Sequence, residues 1–210
     1  MTNINLAYRC SELIEEQGYR CALVGGVAVG VWAEERFTKD LDFALAVETD
    51  QDAERLVKSL RDKGFTIEHV LEHKPSGSLA VVILSSPSIS KIKYRVDLIF
   101  MQTGIEKEVV AGATLFKGSQ GTSVRVACIG HLIALKVLAM DDITRPQDRS
   151  DLKNLLSIAT ETDIKIARDS LILITKRGFN QKKNLQLKLR QLEANYRVVP
   201  SKRIHKKMKI

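Results

Sequence analysis

Residues 23–43 read LVGGVAVGVWAEERFTKDLDF, and the rest of the chain is ordered around them. Leu23 and Val24 end an apolar run and the pair Gly25-Gly26 interrupts it. Thirteen residues follow, Val27 to Lys39, and then Asp40-Leu41-Asp42-Phe43. Successive side chains of a strand alternate faces, so Asp40 and Asp42 point one way while Leu41 and Phe43 point into the core. Two carboxylates on one strand face repel each other unless a cation sits between them. A hard divalent ion such as Mg²⁺ takes oxygen ligands and commonly bridges carboxylates to phosphates. The glycine pair lets backbone N–H groups approach an anion closely, and the helix expected after it aims its N-terminus at the same place. Phosphate cradle and metal pair then fall in one supersecondary unit, the pattern of a nucleotide site. Taken singly, the glycines are a tight turn and the acids a solvated strand face; their joint spacing carries the reading.

The 210 residues suit one large domain, or one catalytic domain with a helical appendage, and the 44% apolar content supplies a core. No apolar run reaches membrane-spanning length and the N-terminus has no basic-then-apolar segment, so a cytoplasmic protein with no membrane contact is expected. Cys10, Cys21 and Cys128 are widely spaced and odd in number, which reads as buried free thiols rather than as a metal site or a disulfide. The net charge of +8 is unevenly placed: from Lys176 to Ile210 twelve Lys or Arg face the single acid Glu193. That segment carries +11, leaving −3 for the remainder. A near-neutral body with a basic end suits a polyanionic partner; a solvated basic face with no ligand is the plainer reading.

Going outward from the central stretch, Asn5 to Gln17 has apolar residues at helical spacing and Gly18 as its stop. Cys21 to Val24 is the first expected strand, Val27 to Glu34 a short helix, and Leu41 to Val47 the acid-bearing strand. Asp50 is placed to cap a helix running to Lys63. Three strands are expected at Phe65–Leu71, Leu79–Leu84 and Lys91–Phe100. In the last, Val96 and Leu98 share one face while Arg95, Asp97 and Ile99 share the other. Asp97 is an acid in an apolar stretch, a costly placement unless it is paired or bound to a metal. It reads as a third metal ligand or a base from a neighbouring strand, with a structural acid bonded to Arg95 or to a backbone amide as the alternative. A short helix from Ile105 to Gly112 and two small strand pieces follow. Then come helices from Ile129 to Met140 (carrying Lys136), from Gln147 to Ala159 (with Asp148 and Asp151 near its start), from Asp163 to Lys176, and from Lys182 to Tyr196. The last residues, SKRIHKKMKI, read as disordered. Organisation is expected as 1–127, 128–196 and a basic tail, 197–210.

With these residues in view, Gly25-Gly26 followed by Arg36-x-Thr38-x-Asp40-Leu41-Asp42-Phe43 resembles the signature of the nucleotidyltransferase superfamily related to DNA polymerase beta. The Arg-x-Thr-x-Asp-Leu-Asp form is most similar to the AbiEii-type toxins of bacterial toxin–antitoxin systems. A second block, Lys136, then Arg145, then Asp148-x-x-Asp151-Leu152, is similar to that family's Lys…Arg…Asp-x-x-Asp-Leu motif. The resemblance spans about residues 20 to 158. It departs at Gln147, where a basic residue is usual, and in the longer step from Lys136 to Arg145.

The resemblance implies an α/β (α+β) fold: a mixed sheet flanked by helices, followed by a small helical C-terminal region. It implies transfer of NMP from an NTP to an acceptor hydroxyl at a two-ion Mg²⁺ site, with Mn²⁺ as a substitute. Asp40, Asp42 and Asp97 would hold the metal, and Asp97 would also help deprotonate the acceptor. Gly25 and Gly26 would cradle the triphosphate and Lys136 neutralise its charge. Arg36 and Thr38 would belong to the nucleotide-binding set, with Arg36 an organiser of the carboxylate loop rather than a catalyst, and Asp148 or Asp151 would lie near the base or acceptor. NTP, RNA (tRNA, through 176–210) and an antitoxin protein are the implied partners. A small-molecule nucleotidyltransferase, a protein-modifying one and a non-catalytic binding module are the competing readings; clustered acids argue against the last, and the basic excess against a cationic drug as acceptor.

Overall fold

The computed structural model describes residues 3–34, 38, 40–74, 76–87, 93–141 and 145–196. Arg36, the 197–210 tail and the first part of the expected Lys91–Phe100 strand fall outside them. The chain forms two compact units, each considered by itself.

The first unit comprises residues 1–28, 36–102 and 106–127 and holds all seven strands. These are β1 (Arg20–Val24), β2 (Asp40–Ala46), β3 (Thr66–Glu72), β4 (Leu79–Ser85), β5 (Arg95–Ile99), β6 (Thr114–Lys117) and β7 (Ser123–Val126). They lie in the order β3-β4-β5-β2-β1-β7-β6. The β2/β5 and β1/β7 pairs are parallel and the others antiparallel, so the sheet is mixed. β1 is apolar after its first residue, and Cys21 to Val24 are buried. The period-2 alternation is clean in β5 and in the first four residues of β2, so Leu41, Phe43, Val96 and Leu98 are buried on one face; beyond them Ala44 and Leu45 are buried as well.

Helices α1 (Asn3–Glu16), α3 (Asp50–Asp62) and α4 (Glu106–Ala111) complete this unit. α1 packs on β1 and β7 through Leu6, Cys10 and Ile14. Gly18, at φ +82°, ends it, in the left-handed conformation that glycine adopts without strain. Thr49, not Asp50, caps α3: its hydroxyl accepts the Asp52 N–H and Asp52 returns a carboxylate oxygen to the Thr49 N–H. This reciprocal box satisfies two orphan donors at once, which a cap at Asp50 would not do. α2 (Gly25–Trp32) begins at the glycine pair itself rather than at Val27, and its second half belongs to the other unit.

The second unit comprises residues 29–35, 103–105 and 128–210. Its described helices include α5 (Ile129–Ala139), α6 (Gln147–Ile158), α7 (Glu161–Lys176) and α8 (Leu185–Tyr196). α5 is apolar on nearly every side and contacts each of the other three. At Gly130 a side chain would meet the Asp163 carbonyl oxygen at 2.4 Å, so glycine lets α5 and α7 approach. Thr160 caps α7 and Asp163 is the third residue of its capping box, a correction to the start expected at Asp163. The C-terminal carbonyls of α5 are met by two lysines: Lys183 Nζ donates to Leu138 O at 2.7 Å and Lys188 Nζ to Met140 O at 2.9 Å.

All three thiols are free. Burial pushes Cys10 and Cys21 up to about 12, so both stay protonated at neutral pH. Among the described residues no helix is long and apolar enough to cross a membrane.

Candidate active site

Parallel pairing of β2 with β5 sets Asp40 opposite Arg95 and Asp42 opposite Asp97. Register partners in a sheet point to the same side, so these four side chains stand together on the face turned away from Leu41, Phe43, Val96 and Leu98. Asp40 is exposed, Asp42 is partly exposed, and the Asp97 side chain retains 13% of its exposure. The N–H of Asp40 donates to Thr38 Oγ1 at 3.3 Å, which gives Thr38 a part in fixing the start of the acidic strand.

Gly25, the first residue of α2 directly after β1, lies against this face. Its φ is +67°, and a Cβ there would fall 1.9 Å from Asp42 Oδ2 and 2.7 Å from Asp42 Cγ. The Asp42 carboxylate thus occupies the space that a side chain at 25 would fill. Glycine is demanded twice, by the backbone angle and by the close approach. Gly26 is buried in the first turn of α2, where backbone N–H groups lack intrahelical acceptors.

Asp97 is not a lone carboxylate. Arg95 Nε donates to its Oδ1 and Nη2 to its Oδ2, each at 2.7 Å, a bidentate fork. The Arg95 pKa is held above its usual value, first by these hydrogen bonds and then by the charges of Asp97, Asp40 and Asp42, against the opposing effect of burial. All three acids therefore act on one cation. Their donor chemistry, carboxylate oxygens from neighbouring strands, suits a hard divalent ion. Among the described residues no three acidic, histidine or cysteine side chains are arranged around a metal position, in keeping with Asp97 having both oxygens on Arg95.

Lys136, Asp148 and Asp151 lie in the second unit and are joined to one another there. Lys136 Nζ sits 2.7 Å from Asp148 Oδ1 and 2.7 Å from Asp151 Oδ2, with the three side chains 7%, 0% and 2% exposed. Arg145 Nε lies 3.0 Å from Asp148 Oδ2, an ion pair whose geometry falls short of a hydrogen bond. The expectation that Lys136 neutralises a triphosphate thus meets a prior commitment, since its ammonium is buried on two carboxylates. Asp148 and Asp151 do more than favour the dipole of α6; they bond α6 to α5. The sequence carried a sign of this in the one lysine of a helix whose only other polar side chain is His131.

Residues 12–202 match the profile of the family described as Nucleotidyl transferase AbiEii toxin, Type IV TA system. The chain belongs to the AbiEii nucleotidyltransferase toxin family. Its members are enzymes of nucleotidyl transfer, and the β2/β5 acids with Gly25 fall inside the matched range. A search of curated protein sequences found no match. Among solved structures, an antigenic nucleotidyltransferase-like protein from Paracoccidioides brasiliensis is 17% identical, with 94% of each chain covered and a TM-score of 0.48. MenT4, a nucleotidyltransferase toxin from Mycobacterium tuberculosis, is 13% identical over 93% of this chain and 92% of its own, with a TM-score of 0.37. A tRNA-processing enzyme is 16% identical over 92% of this chain and 56% of its own, with a TM-score of 0.37.

Proposed function

We propose that this AbiEii-family enzyme transfers NMP from an NTP to the 3′ hydroxyl of an RNA, with tRNA as the first acceptor to test, in a Mg²⁺-dependent reaction. The observation that carries the reading is the convergence of Asp40, Asp42 and Asp97 on one sheet face against the glycine at position 25. In the reaction the acceptor oxygen bonds to the α-phosphorus, the bond to the bridging oxygen breaks, and pyrophosphate leaves with the electron pair. Asp40, Asp42 and Asp97 would hold the ions, and Asp97 would also take part in removing the hydroxyl proton. Mg²⁺ held there would offset the charge that develops on the transferred phosphate and on the leaving pyrophosphate. Backbone N–H groups at Gly25 and Gly26 face the phosphates, a role that needs no side chain. We assign Lys136, Asp148 and Asp151 to holding α5 against α6, because moving Lys136 to a phosphate would strip two buried carboxylates of their partner.

The RNA acceptor rests on the basic segment from Lys176 onward. Within its described part, Arg177, Lys183 and Lys188 donate to backbone carbonyls, while Lys176, Lys182 and Arg190 are exposed. Among the described residues, the latter are open to phosphates. As a toxin-family member the chain would be held in check by an antitoxin.

The test is incubation of the protein with each labelled NTP, Mg²⁺ and total tRNA, beside Asp42→Asn and beside wild type with EDTA. Label on tRNA from wild type with Mg²⁺ alone is the expected result. Label on protein, or only on added small molecules, moves the acceptor. Equal labelling by Asp42→Asn sinks the metal assignment.

A further inference from the structure

The β2/β5 face brings three carboxylates together, and Arg95 stands on the same face among them. It stands opposite Asp40 and two residues before Asp97, with its fork on both Asp97 oxygens at 2.7 Å. Those two oxygens are the ones a divalent ion would use. Arg95 is 49% exposed against 13% for Asp97, so water can take over its bonds as they break. The planar guanidinium that matches a carboxylate also matches two oxygens of a phosphate. Exchange of one for the other leaves every donor satisfied.

We propose that Arg95 is the resident counter-cation of this face: it holds Asp97 while no metal is bound, yields at least one Asp97 oxygen to an entering divalent ion, and then turns its fork to the phosphates of the nucleotide. This rests on the reading of Asp40, Asp42 and Asp97 as the metal-binding acids. It makes Arg95 a competitor of the metal and an ally of the nucleotide. A residue that merely positions Asp97 would help the metal instead.

The test uses the full chain and Mn²⁺ alone as the probe, titrated without nucleotide and followed by the electron paramagnetic resonance of free Mn²⁺. The unreactive α,β-methylene analogues of ATP, CTP, GTP and UTP are then titrated with Mg²⁺ present. Arg95→Gln is expected to bind Mn²⁺ at least tenfold more tightly than wild type and the preferred analogue at least tenfold more weakly. Arg95→Lys, which keeps the charge but not the fork, should fall between them for Mn²⁺ and serves the comparison if Arg95→Gln does not fold. Asp42→Asn separates the two readings. If it abolishes Mn²⁺ binding while the Arg95 variants bind Mn²⁺ no more tightly than wild type, the metal site stands and the counter-cation is overturned. If Asp42→Asn binds Mn²⁺ as wild type does, the metal reading falls and the proposal with it. Unchanged affinity of the Arg95 variants for every analogue overturns the transfer to phosphate.

Discussion

The two acidic clusters are built from the same ingredients and differ in their access to water. On the β2/β5 face Arg95 meets Asp97 at 2.7 Å with its side chain 49% exposed. Between α5 and α6 Lys136 meets Asp148 and Asp151 at the same 2.7 Å with all three side chains 7% exposed or less. The contacts are alike in length, so the surrounding dielectric decides what each can do. An ion pair open to water contributes about 0–1 kcal/mol and can change partners at little cost. A buried one has already lost its hydration, and removing one member leaves an uncompensated charge at a cost of about 3–5 kcal/mol. Hence the first cluster is fit to trade its cation for metal and phosphate, and the second is fit to hold two helices together. The sign of the charges does not separate them; burial does.

The largest effect expected is on turnover. Asp42→Asn should lower nucleotidyl transfer on the order of a thousandfold, through loss of several kcal/mol of transition-state charge stabilisation. Its denaturant midpoint should stay close to that of wild type, because the side chain is only partly buried and repulsion with its neighbours is relieved. Lys136→Met should do the reverse, costing about 3–5 kcal/mol of stability while the folded fraction keeps most of its turnover. Unfolding curves and single-turnover rates on both variants decide the matter. Were Lys136→Met to keep its midpoint and lose activity as Asp42→Asn does, the assignment of the two clusters would be the wrong way round.

Gly25→Ala sharpens the comparison from the glycine side. The added methyl falls 1.9 Å from Asp42 Oδ2 and the φ of +67° disfavours it. A loss of about 1–3 kcal/mol is expected from the left-handed backbone alone. Turnover should fall on the order of a hundredfold as the carboxylate shifts by about an ångström. Activity equal to wild type would mean that Asp42 need not sit where the glycine admits it.

How much of this was legible in the sequence follows from the range of each signal. The alternation Asp40-Leu41-Asp42-Phe43 and the glycine pair are local, and local periodicity gave both the strand and the face of its acids. Register between β2 and β5 joins segments far apart in sequence. The opposition of Arg95 to Asp40, and of Asp42 to Asp97, therefore appears only in the folded sheet. Arg95 was visible as one partner for Asp97, but not as the cation shared by three acids. Thr49-Asp50 offers two capping residues in a row, and only the reciprocal bond to Asp52 chooses between them. In α5 the lone lysine was plain, yet its partners sit on the next helix, so it could be read as a reach for phosphate. Arg36 lies outside the described residues and stays with the motif that named it.

The smallest expected effects divide the basic segment by the same rule. Lys183 spends its ammonium on the Leu138 carbonyl at the end of α5, at 2.7 Å, whereas Arg190 is exposed. Lys183→Met should cost about 1–2 kcal/mol, the worth of a charged hydrogen bond placed at a helix C-terminus. RNA retention should be unaffected. Arg190→Gln should leave the melting curve in place and flatten the dependence of RNA affinity on log salt by about 0.7 for one lost single-strand phosphate contact. Filter binding across a salt series, beside thermal melts, separates the two. If Lys183→Met flattened the slope as Arg190→Gln does, the cations bonded to carbonyls would be part of the RNA surface after all, and commitment within the fold would no longer distinguish one basic residue from another.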